Sequence, residues 1–549
     1  METESAEIKR ILLLYTDRYY FVKQVYPFGL DVIAGVLRRH GYHVDIGYPF
    51  LPEPDVETNL RHLLTFSRPQ LVGLGIRNLD TCMSCEPYGD FGNQAYHTFY
   101  FLPEIQQIAE ALKRAAPNVP IIAGGGAFTV SPEAILRALG IQYGIIGEGE
   151  QALLRFLKAY PDQDQVRTIP GLAHFHNRGC VVNEREPYRF EAGTWALSRD
   201  KQFAYAFEST GLPVQVKRGC NQQCSYCVEP IIEGREFVFR EIEDVIRELE
   251  YIAQAHEEVR TLFFVDTEFN LPDLTYCTRL IHGIMEKGLH ERFGFTSQFL
   301  PKPFGPGFAA LLAEAGFSLI LTADSFSDPV LKKNQIAYQE KDIIDVLELC
   351  DRHRIACTVS MIFGLPGETS DTLDHSLNRM KAYPPDFWRR YEYTVGGRIY
   401  EGTPLCRWVE KGGGQPHLYG ERSRGYINPY YFCSPEAPLA LNTTIERELG
   451  YGIAHDNPFA DHKSGALALA FRTDQGAYDA AVSAFLNSPL PVCSHSFEYL
   501  FRKLTGAGRI REARTICEHL LRALSTSQPD PRYLEQMELV RFYMGLLGP

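Results

Sequence analysis

The chain has no run of about eighteen consecutive apolar residues, so no membrane-spanning helix is expected. Its first residues, Met-Glu-Thr-Glu-Ser-Ala-Glu, have no apolar signal core, and secretion is not expected either. A basic excess is also missing. With 55 Lys and Arg against 68 Asp and Glu, the formal charge is −13, the wrong sign for a protein whose main partner is nucleic acid. The 13 cysteines are odd in number and scattered, which suits a reducing cytoplasm better than a disulfide framework. No dinucleotide fingerprint follows the first predicted strand, where Tyr15-Thr16-Asp17 stands instead.

What is present is ordinary in bulk, at 45% hydrophobic and 22% charged. A chain of 549 residues exceeds one core, and about three domains are expected. The most informative stretch is Lys217–Cys227, Lys-Arg-Gly-Cys-Asn-Gln-Gln-Cys-Ser-Tyr-Cys. Cys220, Cys224 and Cys227 are too close for comfortable disulfides but well spaced to wrap three corners of a cubane iron–sulfur cluster. Three protein ligands leave one iron open. Gly219 permits the sharp turn, and Tyr226 is placed to cover one edge. A zinc site short of its fourth ligand, or three unrelated buried thiols, are the competing readings.

Residues 8–160 alternate between strands and helices. Predicted strands are 8–15, 43–48, 71–76, 120–123 and 143–146, with helices after Pro27 and near 55–65, 103–115, 132–139 and 149–159. This pattern predicts an open doubly wound α/β sheet with its ligand at the carboxyl ends of the strands. Those ends carry Arg77 and Asn78, then Gly124, Gly125 and Gly126, then Gly147, Glu148 and Gly149. Such glycines let a large flat ligand lie against backbone amides. Cys82 and Cys85 form a lone CxxC with no second pair to complete a metal site.

From Pro213 the alternation resumes over six βα units, an open version of the βα-barrel geometry. Beyond Gly412-Gly413-Gly414 the pattern changes; strand alternation stops after about Phe432 and the chain becomes helical, with 464–486, 496–506, 509–525 and 532–547 as candidates. The expected division is 1–165, a Rossmann-like domain; 166–205, a linker with a hairpin around Gly179; 206–410, a partial (β/α)6 barrel; and 411–549, a helical domain.

The CxxxCxxC spacing at a strand end, with an aromatic before the third cysteine, resembles the radical S-adenosylmethionine superfamily. Together with the preceding half, the chain is similar to the cobalamin-dependent (B12-binding) radical S-adenosylmethionine methyltransferases. The resemblance implies a [4Fe-4S] cluster on Cys220, Cys224 and Cys227, cobalamin at the Gly-rich strand ends, and S-adenosylmethionine in the barrel. The family's Asp-x-His-x-x-Gly motif is absent, so the lower face of cobalt is expected to meet Arg77, Asn78 or water. A guanidinium has no lone pair to give.

Several barrel residues take roles by the same resemblance. Asp266 and Glu268 are expected at the methionine ammonium, with Glu268 alternatively on the open iron. Ser297 and Gln298 fit the carboxylate or ribose, Asp324 the ribose hydroxyls, and Gly364 the adenine. Arg398, in Arg-Ile-Tyr-Glu-Gly-Thr-Pro, is expected at the methionine carboxylate; Glu268 and Arg398 are the catalytic candidates. Tyr426, Tyr430 and Tyr431 stand as substrate contacts or as core. The implied activity is methyl transfer through methylcobalamin to an unactivated or aromatic carbon of a small molecule or peptide. Family members include a tryptophan C-methyltransferase of natural-product biosynthesis. An external electron donor of flavodoxin or ferredoxin type is implied. The alternatives are a rearrangement without methyl transfer and a non-catalytic cobalamin or cluster sensor.

Overall fold

The computed structural model describes residues 8–18, 25–51, 55–86, 95–177, 179–191, 193, 197, 199, 203, 211–257, 259–450, 469, 472–473, 476–487, 494–526 and 531–548. In the N-terminal half, the strands β1 (Arg10–Tyr15), β2 (His43–Gly47), β3 (Leu71–Gly75), β4 (Ile121–Gly124) and β5 (Tyr143–Ile145) run parallel in the order β2-β1-β3-β4-β5. That is the doubly wound order whose switch point lies between β1 and β3. Ile11, Leu12, Leu13 and Leu14 are buried on both faces of β1, as a central parallel strand requires. Helices α1 (Phe28–Arg39) and α2 (Gly149–Ala159) pack beside each other next to the carboxyl ends of β1, β3 and β5.

The hairpin around Gly179 exists but does not belong to a linker. Strands β6 (Leu172–His176) and β7 (Gly179–Val182) extend the same sheet, with β6 antiparallel to β5. The first sheet therefore runs past 165, through 182. Much of 192–210 lies outside the described residues.

The second sheet is a six-stranded parallel one. It comprises β8 (Leu212–Val214), then β11 (Thr261–Phe264), β12 (Gly294–Phe299), β13 (Phe317–Asp324), β14 (Cys357–Phe363) and β15 (Arg389–Val395), neighbours in that order. Between β8 and β11, the two-residue strands β9 (Lys217–Arg218) and β10 (Val238–Phe239) pair antiparallel across the cysteine loop. In each long strand alternate residues are buried against the outer helices. The intervening ones, such as Thr296, Gln298, Ile320, Thr358, Arg390 and Glu392, face the lumen. Strands β16 (Gly397–Arg398), β17 (Leu418–Gly420) and β18 (Tyr430–Phe432) form a small third sheet that ends at Phe432, where strand alternation was expected to stop.

The tail builds a second core. Phe497, Leu500, Ile516, Leu520 and Val540, from the helices Ser494–Gly506, Ile510–Thr526 and Pro531–Leu546, pack on one another apart from the main core. Val540, Met537, Met544 and Leu547 share the expected inner face, whereas the Tyr533 side chain and residues 464–468 lie outside the described residues.

One buried acid makes the fold pH-sensitive. Glu86, 1% exposed, has no hydrogen bond to either carboxylate oxygen, and burial raises its pKa to about 7, with nearby Thr81 offsetting only part of the effect. The folded pKa lies above the ordinary value, so this stabilisation is full below about pH 4 and is lost as pH rises through about 7. Glu86→Gln removes the titration. Between pH 5 and 8, denaturant melts should show the variant gaining on the parent by up to about 3 kcal/mol.

Candidate active site

The cysteine loop is held from several sides. Gly219 has φ +101°, and a Cβ there would lie 2.1 Å from the Glu236 carbonyl oxygen, so no other residue fits. The Gly219 amide donates to the Glu233 carboxylate at 3.1 Å, and Cys220 N–H donates to the Gly234 carbonyl at 3.0 Å. Ser225 donates through its hydroxyl to Asn334 Oδ1 at 2.6 Å. At the strand end, Asp266 Oδ1 accepts from the amides of Val216 (2.9 Å) and Lys217 (2.6 Å), while Lys217 Nζ donates to the Thr267 carbonyl. Asp266 thus aims the loop through Oδ1. Its other oxygen is buried without a partner, and burial pushes the group up to about 6.

The three thiols stand close enough to raise one another's pKa. For Cys224 burial is the first cause, followed by Asp324, Cys220 and Glu268; for Cys227 burial is followed by Glu229. Among the described residues no three His, Cys, Asp or Glu side chains converge on a single ion. A cubane has a different demand, since each of three irons takes its own thiolate. The donor set fits it: three adjacent half-buried or buried thiols whose negative charges would need the cluster's iron for compensation.

Glu268 lies beside this loop. Its φ is +51°, Oε1 accepts from Thr322 Oγ1 at 2.8 Å, and Oε2 is buried with no hydrogen bond. Burial is the main reason its carboxyl is raised to about 7. An unsatisfied buried oxygen costs about 1–3 kcal/mol and is a place where a bound cation or donor is missing. Of the expected barrel contacts, Glu268 is therefore open to a ligand.

Asp324 is not open in this way. Its two carboxylate oxygens accept from Tyr226 and Tyr338 hydroxyls, each at 2.7 Å, which fixes Tyr226 against the cysteine loop. Ser297 points away from the lumen and donates to the Phe264 carbonyl at 2.8 Å, whereas neighbouring Gln298 lines the cavity. Gly364 has φ +83°, with Cys433 Sγ 2.7 Å from where its Cβ would be, and its amide donates to Glu368 at 3.2 Å; it shapes a turn.

Arg398 is a structural ion-pair partner. Its Nε donates to Asp80 Oδ2 at 2.9 Å, Nη1 to the Ile399 carbonyl at 2.6 Å and Nη2 to the Tyr426 carbonyl at 2.9 Å. With every guanidinium nitrogen engaged and the pair buried, nothing is left for a methionine carboxylate. Arg398→Met is expected to lower stability by about 3–5 kcal/mol, because Asp80 is left buried and alone. Thermal melts of the cofactor-free protein check this, and Asp80→Asn combined with it should recover part of the loss. Tyr426, Tyr430 and Tyr431 are buried in core, Tyr431 through its hydroxyl against Thr98 at 3.0 Å.

The N-terminal glycines border the other half of the site. A cavity of about 860 Å³ runs from the carboxyl ends of β1, β3, β4 and β5 into the lumen of the second sheet. Arg77, Asn78, Gly124, Gly125, Gly126, Gly147, Glu148 and Gly149 all line it. Gly125 has φ +105°, and a Cβ would stand 2.5 Å from the Ile76 carbonyl oxygen, so the β3 and β4 ends touch as backbone. Leu13, Leu30, Ile33, Gly73, Ile122 and Leu153 add apolar lining to the same cavity. Glycine-lined strand ends, where backbone rather than side chains forms the wall, leave room for a large flat macrocycle. Arg77 donates to Asp17 at 2.8 Å. Asp17 and Arg218 had no motif to mark them in the sequence, although Arg218 sits within the cysteine stretch itself.

Arg218 fastens the two halves. It lies 3.1 Å from Glu150 and 3.7 Å from Glu148, with the Tyr188 ring 3.9 Å from its guanidinium carbon. Two residues before Cys220, it joins the cysteine loop to the fifth strand end of the first sheet. Glu148 is accordingly engaged with Arg218 as well as lining the cavity.

Comparison with known proteins agrees with this arrangement. The Radical SAM superfamily model matches residues 214–380, and the B12 binding domain model matches 96–157. The chain thus carries a radical S-adenosylmethionine domain and a B12-binding domain. Among particular relatives, it is 26% identical over 426 residues to tryptophan 2-C-methyltransferase of Streptomyces laurentii, covering 64% of this chain and 67% of that one. A tRNA-2-methylthio-N(6)-dimethylallyladenosine synthase of Geobacter sulfurreducens is 32% identical over 177 residues, but only 31% of this chain and 39% of that protein are covered. The solved structure of the methyltransferase TsrM from Kitasatospora setae, with cobalamin and a [4Fe-4S] cluster, superposes with a TM-score of 0.67 at 22% identity, covering 87% of this chain and 99% of that one. The cobalamin-dependent enzyme OxsB gives a TM-score of 0.61 at 14% identity, over 98% of this chain and 80% of OxsB. Together they give an enzyme with a radical S-adenosylmethionine domain and a B12-binding domain in the fold of these two proteins, with a C-methyltransferase among its homologues.

Proposed function

We propose that this enzyme transfers a methyl group from S-adenosylmethionine to a carbon of a small-molecule or peptide substrate, with tryptophan the first candidate. One observation carries the reading: the Gly-rich strand ends and the barrel lumen open into one cavity, and Arg218 locks the cysteine loop to its edge. When bound, cobalamin and the cluster supply methyl relay and one-electron chemistry.

The residues do the rest. Arg77, held by Asp17, and Asn78 border the mouth that would hold the corrin, and the Arg77 guanidinium would bring a charge there but no lone pair for a metal. Glu268 holds or moves a proton at its free Oε2, and its pKa near 7 suits that task. Apolar walls from Phe263, Val265 and Ile320 exclude water around the substrate. The domain limits supporting this reading are a cobalamin-binding part through 182, a barrel from 211 to about 410, and a helical tail.

Anaerobic reconstitution with hydroxocobalamin and iron, then mass spectrometry with L-tryptophan, tests it. A product heavier by one methyl, with S-adenosylhomocysteine, is expected. A product of unchanged mass would favour rearrangement, and neither S-adenosylhomocysteine nor deoxyadenosine under strong reductant would favour a sensor.

A further inference from the structure

Among the described residues, most charged side chains lining the cavity already have a partner. Arg77 is bonded to Asp17, Glu148 and Glu150 to Arg218, and Glu233 to the Gly219 amide and the Thr267 hydroxyl at 3.2 Å. Arg390 and Glu392 differ: both line the cavity, and neither makes a hydrogen bond or ion pair among the described residues. They occupy alternate positions of β15, opposite Thr358 and Ser360 of β14, on the lumenal face. Two same-face positions on a strand lie about 7 Å apart, too far for their charges to be joined by the backbone alone and near enough for one small ligand to meet both.

From this pairing we infer that Arg390 and Glu392 are the specificity-determining residues that hold the two charged ends of a free α-amino acid. Arg390 binds the carboxylate, bidentate where the fork permits, and Glu392 the ammonium. Thr358 stands opposite Arg390 on β14, and elsewhere in the same lumen Phe263, Val265 and Ile320 supply apolar wall that receives a bulky apolar side chain. A residue inside a peptide carries neither charge and would forgo both contacts, so the pair favours the free amino acid over it. The inference rests on the methyltransferase reading only in calling this ligand the substrate; the binding itself does not depend on it.

Equilibrium dialysis of the reconstituted full-length protein, without S-adenosylmethionine, tests it with L-tryptophan, L-phenylalanine and L-leucine. The comparison ligands are tryptamine, indole-3-propionate and N-acetyl-L-tryptophanamide. At least one free amino acid should bind; for tryptophan, the advantage over each analogue lacking a charge should be about 10- to 100-fold. Arg390→Gln should erase the preference over tryptamine and keep that over indole-3-propionate, and Glu392→Gln should do the reverse. Unchanged rankings in both variants, equal binding of the acetylated amide, or no binding of any of the three amino acids would overturn the inference. Methylation of an internal peptide residue would overturn it while preserving the methyltransferase reading. Charge-specific binding with no methylated product would do the opposite.

Discussion

Cys224→Ala is expected to reduce methyl transfer to background while the protein keeps its fold and its cobalamin. The thiol is half-buried, and truncating it removes little packing, so unfolding should shift by only about 1 kcal/mol. The cluster, however, loses one of three protein ligands, and the loop cannot offer a substitute. Glu268 lies beside the loop, but it comes from the segment after β11 and one of its oxygens is held by Thr322. The corrin-sized mouth is built from residues between Tyr15 and Glu150, and Cys224 does not line it. Iron analysis and the visible spectrum separate the two cofactors. Iron near zero with cobalamin still near one per chain is the expected pair of results. Loss of both together would mean that the halves do not bind independently, and the two-part description of the cavity would fall.

Local sequence carried the strands and the cysteine loop because each is specified over a few residues. The Leu-rich run at β1 and the alternating run at β14 are buried as such patterns dictate. Gly219 and Gly125 could be read as backbone necessities, and both have φ values that bear this out. Pairings across the chain were a different matter. Arg398 finds Asp80 across 318 residues and Asp324 finds Tyr226 across 98, so neither engagement leaves a trace in the neighbouring sequence. Each had been expected at S-adenosylmethionine on a strand-end position alone, and a strand end does not say whether its carboxylate is already satisfied. Ser297 and Gln298 make the same point at the smallest scale: adjacent positions on one strand face opposite sides, and only the second meets the lumen. The hairpin at Gly179 was visible, but its antiparallel seat on β5 was not, because edge pairing depends on which edge is free. Arg390 and Glu392 had a weak signal, two opposite charges at alternate positions of a predicted buried strand.

Glu268→Gln should be the most damaging substitution that leaves iron and cobalamin in place. Glutamine has the same shape, can still accept from Thr322, and keeps the left-handed backbone as strained as before. What it removes is a negative charge, or a proton acceptor, at the buried Oε2. Turnover is expected to fall by about 100-fold or more, the size of effect seen when one preorganised polar group is deleted from a dry site. The way it falls identifies the role. If the carboxylate binds the ammonium of S-adenosylmethionine in the ground state, KM for that ligand rises and kcat changes little. If it accepts a proton or contacts the open iron during reaction, kcat falls at unchanged KM. Thr322→Val provides the control, since it frees Oε1 without removing charge and should cost about tenfold at most. Equal loss in the two variants would place the defect in the shape of the strand end, and Glu268 would have to be given up as a residue that meets the reacting groups.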